Sequence, residues 1–151
     1  MRPVRRPGLV ATDLDGTLVR DDGSVSPYTA EVLARVEAAG IPVVFVTGRA
    51  LRWTEAGFEP VGSHGIAIVS NGALVWDVAR HRPRLERPIE PELGVSVCEL
   101  LRAAVPGTSF AVERVDGIGL EPEFRERYGI PERSRRGPVA DEDVVGEAVG
   151  E

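Results

Sequence analysis

The stretch Gly8-Leu9-Val10-Ala11-Thr12-Asp13-Leu14-Asp15-Gly16-Thr17-Leu18 constrains this chain more than any other. An apolar run leads straight into two aspartates at i and i+2, and a Gly-Thr turn follows. A short apolar run bounded by turn residues suits a strand buried on both faces of a sheet. Side chains at i and i+2 of a strand share a face, so Asp13 and Asp15 can serve one site at the strand end. Ligands of open α/β sheets sit at the carboxyl ends of such strands, and Gly16 lets the backbone come close to one. The plainer alternative is that Asp-Gly only turns the chain. A calcium loop also opens Asp-x-Asp but must close on a Glu, and that position is Ser24.

The segments that follow repeat the theme. Ser26-Pro27 reads as a helix cap and first helical residue. The helix runs to about Ala39, with Thr29, Val32, Leu33 and Val36 as its apolar stripe. Gly40 ends it and Pro42 prevents its resumption. Val43–Val46 is a second strand, ending in Thr47-Gly48-Arg49, and a short helix over about Ala50–Phe58 follows. Ile66–Val69 is a third strand, ending in Ser70-Asn71-Gly72. Strand, helix, strand, helix, strand predicts a parallel sheet. Its strands all end in small polar residues along one edge.

Beyond Asn71 the order changes. Ala73–Asp77 and Leu85–Ile89 read as a hairpin around an Arg-rich turn (Arg80, His81, Arg82, Arg84, Arg87). Pro91 to about Ala104 is a helix with Leu93, Val97, Leu100 and Leu101 on one face. Ser109–Arg114 and Gly117–Glu121 form a second hairpin. From Gly129 onward the chain is rich in Pro, Arg and acids and reads as a disordered tail, with one weak helix over Ala140–Val149. The expected organisation is a core over residues 1–86 and an α+β module over 87–151.

Composition excludes several classes. A net charge of −6 argues against general nucleic-acid binding. No stretch approaches the roughly 18 apolar residues of a membrane span. The Arg2, Arg5 and Arg6 cluster is broken by Pro7-Gly8, so a signal peptide is not expected. Cys98 is the only cysteine. No internal disulfide can form, and a cytoplasmic location is expected. All 18 basic residues are arginines; the chain has no Lys. Cys98, Trp53 and Trp76 read as packing residues. His64 and His81 lack metal-ligand partners at useful spacing, and the arginines near the tail carry no assigned role.

Paired carboxylates beside hydroxyl and amide donors suit phosphoryl transfer. One Asp attacks phosphorus while the other moves protons, and a hard cation screens the negative charge. On Asp13-Leu14-Asp15-Gly16-Thr17-Leu18, Val44-Phe45-Val46-Thr47-Gly48-Arg49 and Ser70-Asn71-Gly72-Ala73, the chain resembles the haloacid dehalogenase superfamily of phosphohydrolases, in its Cof-like branch. The resemblance implies a partial Rossmann-like parallel three-layer α/β core with a partial, inserted α+β cap. It implies Asp13 as nucleophile and Mg²⁺ ligand, and Asp15 as general acid/base whose carbonyl also binds Mg²⁺. Thr47, the Gly48 amide and amides near Asp15 and Gly16 hold the phosphoryl group, and Arg49 and Asn71 touch substrate.

The implied activity is Mg²⁺-dependent hydrolysis of a small, sugar-phosphate-like phosphomonoester. A phosphomutase, or a catalytically incompetent fragment that only binds a partner, are the alternatives. The family's Lys and its late acidic motif find no counterpart here, and Asp141-Glu142-Asp143 lacks the preceding strand and glycine. A C-terminal truncation is therefore expected, with the first strand's edge left open to self-association or to a complementing chain.

Overall fold

The computed structural model describes residues 6–54, 58, 65–125 and 134–141. The chain divides into two compact units, Met1–Arg87 and Pro88–Glu151.

The first unit is an α/β, Rossmann-like fold. Strands β1 (Val10–Asp13), β2 (Val43–Val46), β3 (Ile66–Val69), β4 (Leu74–Asp77) and β5 (Arg82–Glu86) form one sheet in that order. The β1–β2 and β2–β3 pairs are parallel, and the last two pairs are antiparallel. Helix α1 (Pro27–Ala38) joins β1 to β2 and starts where the sequence puts it. Ser26 Oγ accepts from the Thr29 amide at 2.9 Å, satisfying one of the helix's free N–H donors. Gly40, at φ 70°, ends the helix in the left-handed region that favours glycine.

Register puts Val43, Phe45, Ala67, Val69, Leu74 and Trp76 on one face of the sheet. These residues join Leu14, Leu33, Leu51, Phe58 and Val78 in one buried core. Phe45 and Phe58 stack at 5.8 Å between ring centroids. The opposite face is more open, with Ala11 and Val46 exposed and Val44, Ile66 and Ile68 half-buried. β1 is therefore not buried on both faces. It is an edge strand among the described residues, and its side chains alternate between half-buried and exposed.

The β4–β5 hairpin belongs to this sheet. Its second strand is Arg82–Glu86 rather than Leu85–Ile89. The shift has a physical cause in Asp77, which is 2% exposed. Asp77 accepts from the Arg80 amide, Arg80 Nη1 and Arg84 Nε, each at 3.0 Å. That buried carboxylate draws the arginine run onto the strand, and β5, as an edge, needs no apolar alternation. Arg80 and Arg84 of the Arg-rich turn are thus paired with a buried acid. Where a helix is expected after β2, the described residues include a 3₁₀ turn, Leu51–Trp53. Residues 55–57 and His64 lie outside the described residues. Arg52 lies over the Trp53 ring at 4.6 Å, so Trp53 stacks with a cation, whereas Trp76 is buried core.

In the second unit, α2 (Pro91–Ala104) precedes a sheet of β6 (Ala111–Arg114), β7 (Gly117–Leu120) and β8 (Ser134–Arg136), in that order. β6–β7 is antiparallel and β7–β8 parallel. The expectation of a disordered tail from Gly129 onward does not describe β8. That strand is held by backbone pairing, and its polar side chains give no apolar alternation to read. Arg135 reaches Asp116 at 3.2 Å, and Arg136 donates to the Pro122 carbonyl at 3.2 Å. Most of the expected helix over Ala140–Val149 lies outside the described residues. Leu93, Val97, Leu100 and Leu101 of α2 are exposed.

Glu121, 6% exposed, fastens this unit. Its carboxylate accepts from Arg102 Nη2 at 2.6 Å, the Phe110 amide at 3.0 Å and the Val139 amide at 3.2 Å. Cys98 is half-buried on α2. Burial and the Glu121 charge push its thiol up, which suits packing rather than nucleophilic chemistry.

Candidate active site

The parallel register places the polar strand ends side by side. Asp13, the last residue of β1, lies opposite Val46, the residue before Thr47. The Thr47 amide donates to the Ile68 carbonyl at 2.9 Å, and the Ser70 amide donates to the Arg49 carbonyl at 2.8 Å. The ends of β1, β2 and β3 are therefore stitched to one another by backbone hydrogen bonds. Asp13, Asp15, Gly16, Gly48, Arg49 and Asn71 are all exposed, and Thr47 is buried at 4% exposure.

After β1 the chain coils tightly. The amides of Thr17, Leu18 and Val19 all donate to the Leu14 carbonyl, at 3.3, 3.0 and 2.7 Å. Leu14 is buried at 3% and anchors the coil in the core. The coil leaves Asp13 and Asp15 outside. Gly16 sits at φ 69°, where the turn needs glycine. Its amide, expected on a phosphoryl group, instead donates to the Val19 carbonyl at 3.0 Å. Gly16 thus shapes the loop, and its N–H is spent inside it. Thr17 Oγ1 lies 3.5 Å from Asp13 Oδ2.

Thr47 Oγ1 accepts the Arg49 amide at 3.1 Å. With that lone pair engaged, its O–H remains available as a donor. The Arg49 guanidinium grips Asp15 as a fork, Nε to Oδ2 at 2.9 Å and Nη2 to Oδ1, with both side chains about half exposed. Sequence reasoning missed this pair, since the residues lie 34 positions apart. Their separate placement at neighbouring strand ends was the available signal.

The turn after β3 was also missed in detail. Ser70 (φ 51°), Asn71 (φ 55°) and Gly72 (φ 94°) are all left-handed. Successive non-glycine residues in that region are uncommon and strained, and such strain gathers at functional sites. The turn brings Asn71 against the β2 loop: a Cβ on Gly48 would lie 2.8 Å from Asn71 Oδ1. Only glycine fits at 48 while Asn71 stays in place.

Among the described residues no group of three or more His, Cys, Asp or Glu side chains is placed to hold a metal. The oxygens that are present, the Asp13 carboxylate and the Asp15 carbonyl, are hard donors. They suit Mg²⁺, which takes one or two protein carboxylates and completes its shell with water and phosphate.

Such an arrangement defines a class: α/β proteins that carry paired carboxylates and a hydroxyl donor at the carboxyl end of a parallel sheet. Comparison with known proteins makes the class specific. The family model for haloacid dehalogenase-like hydrolases matches residues 10–141, and the chain belongs to that family. It is 41% identical over 69 residues to the phosphatase YwpJ of Bacillus subtilis, covering 46% of this chain and 24% of that protein. It is 36% identical over 67 residues to the phosphoglycolate phosphatase of Methanopyrus kandleri, covering 44% and 29%. Among solved structures, one from Eubacterium rectale matches with a TM-score of 0.70 at 28% identity, over 89% of this chain and 51% of that one. The chain thus spans about a quarter of the length of the curated relatives it matches.

Proposed function

We propose that this chain carries the nucleophile half of a phosphatase acting on small phosphomonoesters, with sugar-phosphate-like metabolites as the substrate class. The observation that carries the reading is the register of β1 against β2, which sets Asp13 beside Thr47 at adjoining strand ends. Phosphatases among the relatives support it.

In the proposed reaction an Asp13 carboxylate oxygen attacks phosphorus. The P–O bond to the leaving alcohol breaks, and Asp15 supplies the proton that the departing alkoxide takes up. Water then attacks the phosphorus of the aspartyl-phosphate, giving its proton to Asp15, and the Asp13 carboxylate is regenerated as inorganic phosphate leaves. The Thr47 hydroxyl and the Gly48 amide hold the non-bridging oxygens. Asn71 keeps the Gly48 backbone in reach. Mg²⁺, held by the Asp13 carboxylate and the Asp15 carbonyl, would screen the charge between carboxylates and phosphate. Among the described residues no helix is long and apolar enough to cross a membrane, and a cytoplasmic location belongs to the same reading.

The test is phosphate release from an aryl phosphate with Mg²⁺, comparing the chain with its Asp13→Asn variant. Turnover that needs Mg²⁺ and is abolished by the substitution supports the proposal. Equal background in both favours the second reading, a chain that binds without catalysing. The pair of carboxylates without a third acid among the described residues is what speaks for that reading. Transfer to an added sugar rather than to water would mark a phosphomutase. If β1's open edge pairs with a second copy, sedimentation of the chain will show a dimer.

A further inference from the structure

Arg49 is fixed at the backbone and half exposed at its side chain. Its amide is tied to Thr47 Oγ1 and its carbonyl to the Ser70 amide, so the loop is held on both sides. Its side chain is about half exposed, and its guanidinium grips the Asp15 carboxylate. Within these 151 residues there is no Lys, so any cation this chain itself offers to an anion at the strand ends is an arginine. A guanidinium fork fits a carboxylate and a phosphate with the same two-pronged geometry. A half-exposed carboxylate pair is weakly held. A phosphate dianion beside Thr47 brings more charge and the same pair of acceptor oxygens.

The geometry points to Arg49 as an exchangeable grip: its guanidinium holds the Asp15 carboxylate and transfers to the phosphoryl oxygens when a phosphomonoester arrives, uncovering Asp15. This inference rests on the phosphatase reading above and deepens it, by making Arg49 both a phosphoryl-binding residue and a positioning residue for Asp15. It also gives Asp15 a cost to ligand affinity. Every phosphate that binds must first win Arg49 from a carboxylate of the same site, and apparent affinity falls by the fraction of time that Arg49 is already occupied. Exchange moves only the side chain, because the backbone on each side of it is bonded into the sheet ends.

The experiment titrates the full chain with inorganic phosphate in the presence of Mg²⁺. The Nε–Hε proton–nitrogen signal of Arg49 is followed, and the ³¹P line of the phosphate reports binding independently. Phosphate is expected to move the Arg49 signal to a new position, and the Asp15→Asn variant is expected to reach the same end point. Asp15→Asn should tighten phosphate binding roughly fivefold. Arg49→Gln should weaken it roughly tenfold or more, with Arg49→Lys between. In the Arg49→Gln background the gain from Asp15→Asn should vanish, as expected of coupled residues. Equal tightening in both backgrounds would overturn the exchange, since Asp15 would then act through its charge alone. An Arg49 signal that stays fixed while the ³¹P line reports saturation overturns it too, and leaves the phosphatase reading standing. A ³¹P line untouched by the chain defeats the phosphatase reading itself, and the exchange with it.

Discussion

Replacing Glu121 by Ala should come close to unfolding the second unit. The buried carboxylate receives three donors from separated parts of the chain: Arg102 on α2, the Phe110 amide ahead of β6 and the Val139 amide after β8. Truncation leaves the Val139 N–H buried and unpaired and the Phe110 N–H partly so. An orphaned buried donor costs about 1–3 kcal/mol. Arg102 is 40% exposed on its side chain, so water recovers most of its share. The sum is about 3 kcal/mol, a large fraction of what a small unit has to lose. With a urea slope of about 1 kcal/mol per M, the midpoint should fall by about 3 M. Gln is no remedy, because every neighbour is a donor and its NH₂ adds another. The assay is urea unfolding followed by circular dichroism, with amide exchange at Phe110 and Val139 as the local readout. Burial alone would raise the Glu121 carboxyl. The hydrogen bonds from Arg102, Phe110 and Val139 outweigh it and hold the group below the usual 4.5. Its stabilisation is therefore complete above that value and is lost as pH falls through the lowered one. A Glu121→Gln chain that unfolds at the same urea concentration as the parent would refute the reasoning.

Two further outcomes follow from the first unit. Burial raises the Asp77 carboxyl, but hydrogen bonds from Arg80 and Arg84 more than offset this and bring it down from 3.8 to about 2; the β4–β5 hairpin should therefore lose protection between about pH 4 and pH 2, and Asp77→Asn should remove that dependence in hydrogen exchange. Gly65 sits at φ 92° with the Val43 carbonyl oxygen 2.5 Å from where a Cβ would stand; Gly65→Ala should lower stability by about 1–3 kcal/mol, seen as a lower melting temperature.

Much of the site was legible because chemistry and periodicity agreed there. β1, β2 and β3 ended where Asp13, Thr47 and Ser70 said they should, and Ser26 capped α1 as read. What escaped was held by contacts that leave no periodic trace. β8 is three residues of Ser and Arg, kept in place by backbone bonds to β7. Asp77 looked like the end of a strand, yet its burial among arginines set the position of β5. Glu121 was one acid among many until the fold gathered three donors around it. Gly16 is a different case: the turn needs its glycine, but its amide points into that turn, which no spacing in the sequence could reveal.

The two borders of the first sheet are unlike one another. At β5, Pro83 withholds an N–H from the ladder, and Arg82 and Arg84 stand beside it. A newcomer finds few bonds to make there and meets charge. At β1 the described residues offer Val10 to Asp13 with one side unpaired. Among the described residues β1 is thus the more receptive border of this sheet. A backbone that pairs with β1 lies about 5 Å from it by ladder geometry, and so next to Asp13. The receptive border of the sheet and the candidate site thus share one strand, β1.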